Sequence, residues 1–401
     1  MMTIGVLAFV IALLVSVMLH EAGHFVTAKL FGMKATQFFV GFGTTLWSRQ
    51  KGETEYGVKA IPAGGFVKII GMTPLEEISV EDQPRAFINK PGWQRFIVLV
   101  AGSTMHFIIA LVLLFIVLLS WPSVVHGASR VVTVENCLST STGQACPAGA
   151  TPAPAVGKFK PNDVITAVNG QPVTHGTQQL ISLISNAPHG PVAFTVARAG
   201  STINLVVTPA IVDGKAKVGL ELNDAREAKY LRVGFLGAVT GSFHGFGSLF
   251  VDSFKALGVV PHEIGQLISH PSEKRQATTG SSGGQVTSVF GVGRYAGEAF
   301  SAYGVSGGAE TVIEIVASVN IFVGIFNLFP FLPLDGGHVA ILGYEKIRNA
   351  WRRRRHLIPA GPVDLNKLMP FTYGVLAIIV AVSALILVAD IANPVANPFN
   401  Q

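Results

Sequence analysis

Apolar runs of bilayer length alternate along this chain with short basic stretches and one long mixed stretch. A bilayer core of about 30 Å asks for roughly 20 helical residues. Four segments meet that length: Ile4 to Val26, Phe96 to Trp121, the window between Glu314 and Glu345, and Pro370 to Ala389. The first is free of charge up to Glu21 and has no Lys or Arg ahead of it, so it reads as a span rather than a cleaved leader. Between the second and third spans, Pro122 to Ala309 changes pattern. Asp163 to Val173 reads as a strand, an Asn169-Gly170 turn and a second short strand; Val192 to Arg198 and Ser201 to Thr208 read as two further strands joined at Ala199-Gly200, and Thr177 to Ala187 carries apolar residues at helical spacing. Phe246 to Ile268 is amphipathic and suggests an interfacial helix or, with Gly280 to Gly284, a linker. Phe39 to Met72 alternates apolar and polar residues between Gly and Pro, which predicts a hairpin dipping toward the membrane.

Composition agrees that much of the chain avoids water. Charged residues make up 13% and hydrophobic ones 49%, against roughly 25% charged in soluble domains. The net charge of +6 matters through its placement. Lys29, Lys34, Arg49, Lys51, Lys59, Lys68, Arg85, Lys90 and Arg95 separate spans one and two, and Lys346, Arg348, Arg352 to Arg355 and Lys367 separate three and four. Both loops are expected to be cytoplasmic, with both termini and the long insert exported. The Arg352 to Arg355 run then reads as a topology anchor at anionic headgroups. It carries no interleaved base-stacking aromatics, so no nucleic-acid partner is expected. The two cysteines, Cys137 and Cys146, fall in the exported stretch, where one disulfide is plausible.

The first span contains His20-Glu21-Ala22-Gly23-His24. Residues four apart share a helix face, so two imidazoles can grip one zinc ion while Glu21 stands beside a water as general base. Zinc lowers the pKa of its water to about 7. Ionisable residues are expensive inside a membrane segment, so three together imply a use. A catalytic zinc site needs a third protein ligand, and Asp335 in the third span offers one. His20 lies 16 residues after Ile4, about 24 Å along a helix, at the cytoplasmic side, where Asp335 should also fall. Pro330 and Pro333 break the helix just ahead of it, which is tolerated where backbone lines a water-filled cavity. Asn327 is placed to donate to a substrate carbonyl or to cap the broken helix. His338 reads as an outer partner of the site rather than a ligand.

With Leu334-Asp335-Gly336, Gly41-Phe42-Gly43, Gly64-Gly65, Asn327 and Pro330, these features resemble the site-2 protease family of intramembrane zinc metalloproteases. The likeness is greatest to bacterial regulators of sigma-E protease type and their actinobacterial relatives. The insert resembles the PDZ domains of bacterial envelope proteases, which bind an extended peptide at a strand edge or act as a steric cap. The resemblance implies that His20, His24 and Asp335 bind Zn2+ and that Glu21 is the catalytic acid and base; Asn327, Pro330 and Pro333 are the expected substrate contacts. It further implies cleavage within membrane helices of proteins already trimmed by a site-1-type protease, such as single-pass anti-sigma factors or signal-peptide remnants. One departure stands out. Where relatives usually read Gly-Pro-x-x-Asn, this chain has Gly102-Ser-Thr-Met-His106, so His106 either replaces a polar core contact or approaches the metal.

The expected fold class is therefore a multi-pass α-helical membrane protein with four transmembrane helices, an exported PDZ-like α/β insert and a cytoplasmic β-hairpin. Its expected domains are 1–28, the helix with H-E-x-x-H; 29–95, the hairpin loop; 96–121, the second span; 122–212, the PDZ-like insert; and 213–309, the amphipathic region. They continue with 310–344, the third span; 345–369, the basic loop; 370–390, the fourth span; and 391–401, an exported tail. The expected location is the plasma membrane, with the site toward the cytoplasm. An ion transporter through His20, Glu21, His24, His106 and Asp335 is the competing reading, but repeated halves are not evident. A non-catalytic PDZ adaptor is the third.

Overall fold

The computed structural model describes residues 1–72, 78–121, 123–125, 129–138, 152–173, 176–185, 190–198, 201–212, 215–224, 229–231, 234–269, 275 and 287–395. The chain runs through α1 (Met2–Leu30), β1 (Ala35–Lys51), β2 (Thr54–Ile69), α2 (Gly92–Ser120), β3 (Ser123–Val125), β4 (Ser129–Val134), β5 (Val164–Val168), β6 (Gln171–Pro172) and α3 (Gly176–Ser185). It continues with β7 (Val192–Arg198), β8 (Ser201–Val207), β9 (Ala210–Val212), β10 (Lys215–Lys217), β11 (Leu220–Asp224), β12 (Lys229–Leu231), α4 (Phe235–Ser269), α5 (Val289–Asn327), α6 (Asp335–Arg354) and α7 (Met369–Ala392). Two compact units result: Met1–Ser120 with Phe235–Gln401, and Trp121–Gly234.

In the first unit, four helices among the described residues are long and apolar enough to cross a membrane: Met2–Leu30, Gly92–Ser120, Val289–Asn327 and Leu365–Ala392. They are apolar all round, which suits lipid on one side and protein on the other. On α1, Leu7, Val10, Ile11 and Val15 are more than half exposed, whereas Phe9, on another face, packs with Ala296, Phe300, Val312 and Val316. Helix α4 lies along α2 and α5: Phe246 and Phe250 pack on Phe107, and its apolar face joins the cluster around Ala317, Ile321 and Ile325.

Helix α5 is a folded pair rather than one rod. At Gly304 the backbone takes φ 70° and ψ −164°, a left-handed region that disfavours a side chain. Beyond it Gly308 stands against Phe300, so closely that an added Cβ would lie 2.7 Å from Phe300 Cα. Eight residues apart on a straight helix would be about 12 Å distant, so the chain doubles back and its second arm, from residue 305 to Asn327, forms the span. Helix α7 buries only Ile386 and Asp390 among its residues. Asp390 accepts from Ser288 N and Oγ at 2.6 Å each, Thr287 Oγ1 at 3.0 Å and Arg275 Nη1 at 2.6 Å, which ties the C-terminal end of α7 to the start of α5.

The hairpin β1–β2 folds over on itself. Phe38 pairs with both Val67 and Tyr56, Phe39 with Phe66 and Gly57, and Val40 with Gly65 and Val58. The first half of β1 therefore lies between the two halves of β2. Gly41 permits the fold: its φ is 84°, and a Cβ there would meet Ile61 O at 2.6 Å.

The second unit is an antiparallel sheet of order β11-β4-β5-β7-β8, with β6 paired to β5. Val192, Phe194 and Val196 alternate inward on β7 and meet Ile165, Val168 and Leu180 of β5 and α3. Asn169 and Gly170 both take positive φ, 48° and 78°, the backbone a two-residue hairpin turn asks for. Burial pushes the Asp163 carboxyl up, but two Arg198 hydrogen bonds at 2.7 Å outweigh it and hold the carboxyl below its ordinary range. Cys137 is buried. Cys146, the Ala199-Gly200 turn and the Gly280 to Gly284 stretch lie outside the described residues.

Candidate active site

The helical turn from His20 to His24 brings both imidazoles to one face of α1. The break after α5 brings Asp335 to them as the first residue of α6. His20 Nε2 and His24 Nε2 are 3.2 Å apart, and each is 3.3 Å from Asp335 Oδ2. Two ligand atoms at ~2.0–2.1 Å from one tetrahedral centre lie about 3.3–3.4 Å apart, so this near-equilateral triangle fits the face of such a centre. A second observation agrees. Asp335 Oδ2 is buried without a hydrogen-bond partner, a costly state for a carboxylate oxygen unless a cation meets it. His24 donates from Nδ1 to Val98 O at 2.7 Å, which leaves the lone pair on Nε2, the state a metal ligand needs.

The walls of the site come from close helix contacts. Gly102 of α2 abuts both imidazoles: an added Cβ would stand 2.5 Å from His24 Nε2 and 2.6 Å from His20 Nε2. Gly23 lets α2 approach α1, since a Cβ there would meet Ala101 O and Met105 Cγ at 2.7 Å. Between α5 and α6, residues 328–334 make a tight turn that holds Pro330 and Pro333 at exposed positions. Gly336 and Gly337 let α6 start directly beneath it; a Cβ on Gly337 would lie 2.6 Å from Leu332 N.

Glu21 sits next to His20, half-buried, and its Oε2 accepts the backbone N–H of Val67 at 3.1 Å. Val67 belongs to the second half of β2, whose outer edge pairs with no further strand among the described residues. The hairpin is pressed onto α1 here: a Cβ on Gly65 would lie 2.5 Å from Met18 Sδ. Its far end is tied down by charge. Arg85 donates to Glu53 at 2.6 and 2.8 Å and Lys29 joins the same carboxylate. The Arg85 hydrogen bonds, more than Lys29, lower the Glu53 carboxyl to about 2.

Asn327 ends α5, half-buried, its amide engaged by no described residue. His338 lies one turn beyond Asp335 and lines a cleft with Met72, Phe87, Arg95, Ile341 and Glu345. His106 stands beside His20, ring centroids 5.0 Å apart, and bonds through Nδ1 to Asn320 Oδ1 at 2.7 Å. The triangle thus unites His20, His24 and Asp335, with Glu21 and His106 adjacent and Asn327, Pro330, Pro333 and His338 on the flanking turn and helix. Sequence reasoning did not single out Val67, Asn320 or Ser16, and it met Gly102 only as the first residue of the Gly102 to His106 stretch, without a role. Only Asn320 carried a local signal, as an amide within the apolar run Ala317 to Gly324.

Comparison with known proteins places these features in context. The model of "Peptidase family M50" matches residues 8–358. "Zinc metalloprotease Rip1" of Mycobacterium tuberculosis (strain ATCC 25618 / H37Rv) is 35% identical over 421 residues, covering 98% of this chain and 99% of that protein. Rip1 of Mycolicibacterium smegmatis is 35% identical over 414 residues, with 98% of each chain covered. "Metalloprotease MmpA" of Caulobacter vibrioides is 28% identical over 379 residues, covering 85% of this chain and 86% of that protein.

Proposed function

The chain belongs to peptidase family M50 and is a zinc metalloprotease of the membrane, and from that premise we propose that His20, His24 and Asp335 hold the zinc and Glu21 is the catalytic acid and base. The observation that carries this assignment is the triangle of His20 Nε2, His24 Nε2 and Asp335 Oδ2 at 3.2–3.3 Å with Glu21 alongside. When bound, zinc activates water near neutral pH and polarises the scissile carbonyl.

The protein's own groups do the rest. Glu21 takes the proton of the attacking water on a carboxylate oxygen and passes it to the leaving amine. Val98 O, bonded to His24 Nδ1, keeps that ring in the ligating orientation. The amide of Asn327 donates to a carbonyl of the substrate, and the Pro330 to Pro333 turn guides the substrate past it. A helical substrate hides its carbonyls in internal hydrogen bonds, so it must extend before attack. The unpaired outer edge of β2 around Val67 offers a strand to pair with it, which draws Val67 N–H from Glu21 as the substrate enters.

The substrates we propose are single-pass membrane proteins already trimmed outside by another protease, anti-sigma factors or signal-peptide remnants. The loop charges support an orientation with the site toward the cytoplasm and with both termini and the β-rich second unit, PDZ-like, exported from the plasma membrane.

The test uses Glu21→Gln in the full chain. The variant is expected to keep zinc at the native stoichiometry, lose cleavage by at least about 10²-fold, and retain uncleaved membrane peptides identifiable by mass spectrometry. Native cleavage rates in Glu21→Gln would remove Glu21 from its role. Zinc flux across vesicles by the same variant would favour the transporter.

A further inference from the structure

His20 has a nitrogen left over. Its Nε2 belongs to the triangle, yet its Nδ1 is buried with no hydrogen-bond partner. A histidine that ligates through Nε2 carries its proton on Nδ1, and that N–H is ordinarily given to an acceptor that fixes the ring and raises its basicity. The neighbouring imidazole of His106 is close enough to supply one, although the two rings as placed form no such bond. Val316 O is a carbonyl and only accepts, so the Asn320 atom 2.8 Å from it is the amide nitrogen. Ser16 Oγ donates to Ala12 O at 2.9 Å and accepts from that same nitrogen at 3.1 Å. Asn320 Oδ1 therefore faces His106 Nδ1, 2.7 Å away, and requires a proton there. The His106 lone pair is then on Nε2. This imidazole is only 2% exposed, and its centroid is 5.0 Å from that of His20 at an interplanar angle of 47°.

We propose that His106 Nε2 is the acceptor for His20 Nδ1–H, which makes His106 and Asn320 positioning residues for a metal ligand. The protons run one way: His20 Nδ1–H to His106 Nε2, then His106 Nδ1–H to Asn320 Oδ1. Ser16 and the Val316 carbonyl complete the arrangement by turning the Asn320 amide so that its oxygen faces the imidazole. Three helices, α1, α2 and the second arm of α5, thereby share in fixing one ring. The proposal rests on His20 being a zinc ligand.

The test measures the zinc dissociation constant of the full-length chain in detergent by competition with a chelator. His106→Leu and Asn320→Leu are expected to weaken zinc binding about 10–100-fold, whereas His106→Gln, which keeps an acceptor oxygen for His20 Nδ1–H, weakens it less than His106→Leu. Cobalt loaded in place of zinc is expected to give the same d–d absorption bands in Asn320→Leu as in the native chain, because no ligand has been removed. Native zinc affinity in folded His106→Leu or Asn320→Leu overturns the proposal. So does equal weakening by His106→Leu and His106→Gln, the mark of a packing role, and so do altered cobalt bands, which would make His106 a ligand. His20→Ala separates the levels: native affinity there removes the reading beneath, while loss there with native affinity in His106→Leu removes this proposal alone.

Discussion

Gly102 sets how closely α2 approaches the two imidazoles, and a single methyl at this position would occupy the space between them. Gly102→Ala is therefore expected to lower zinc content and cleavage by more than about tenfold, since a displacement near 1 Å costs that much at a preorganised site. Metal analysis beside a cleavage assay checks it, and a native zinc content in the variant would contradict it. The residue scale is also where sequence reading divides most sharply. His20, Glu21 and His24 are legible because their spacing is local and helical. Asp335 is legible because a carboxylate in an apolar span stands out. Gly102 and Val67 are invisible in one dimension, because what matters about them is which backbone lies a few ångströms away.

The elements follow the hydrophobic pattern where that pattern is long, and depart from it where the chain folds back. Each of the four apolar runs overlaps a helix of spanning length, but the third is divided: its spanning helix ends at Asn327, the prolines at 330 and 333 fall in the turn, and Asp335 begins the separate helix α6. The reversal at Gly304 was not legible, since a glycine in a Gly-Ser-rich stretch does not announce its φ. Nor was the doubled pairing of β1, because register between halves of one hairpin is a tertiary choice. The tie at the hairpin's far end has a pH signature. Glu53 is held by Arg85 and Lys29 with its carboxyl at about 2, below the roughly 4.3 of a free glutamate. A depressed folded value means the tie is complete above that unfolded value and is lost as pH falls toward 2. Protection of the β1 and β2 amides, measured as the exchange rate relative to the intrinsic rate at each pH, should fall over that interval. Glu53→Gln should show the faster exchange at neutral pH, by no more than about 1 kcal/mol given the exposure of the pair. Identical exchange in native and variant chains at neutral pH would remove this anchor.

At the scale of the whole molecule, the proposed orientation rests on loop charge and motif depth. Cysteines introduced at Lys51 and Arg353 are expected to resist a membrane-impermeant thiol reagent in intact cells, and one at Lys158 to react. Labelling at Lys51 from outside would invert the topology. The class of the molecule was legible from composition and periodicity, and its chemistry from one helical turn. What the sequence could not show is how helices far apart in the chain close around a point, and the account depends on that closure. The most direct test is a crystal of the full chain measured at the zinc absorption edge. One anomalous peak is expected about 2.0–2.1 Å from His20 Nε2, His24 Nε2 and an Asp335 oxygen. A zinc peak elsewhere, or coordination that leaves out Asp335, would contradict the account.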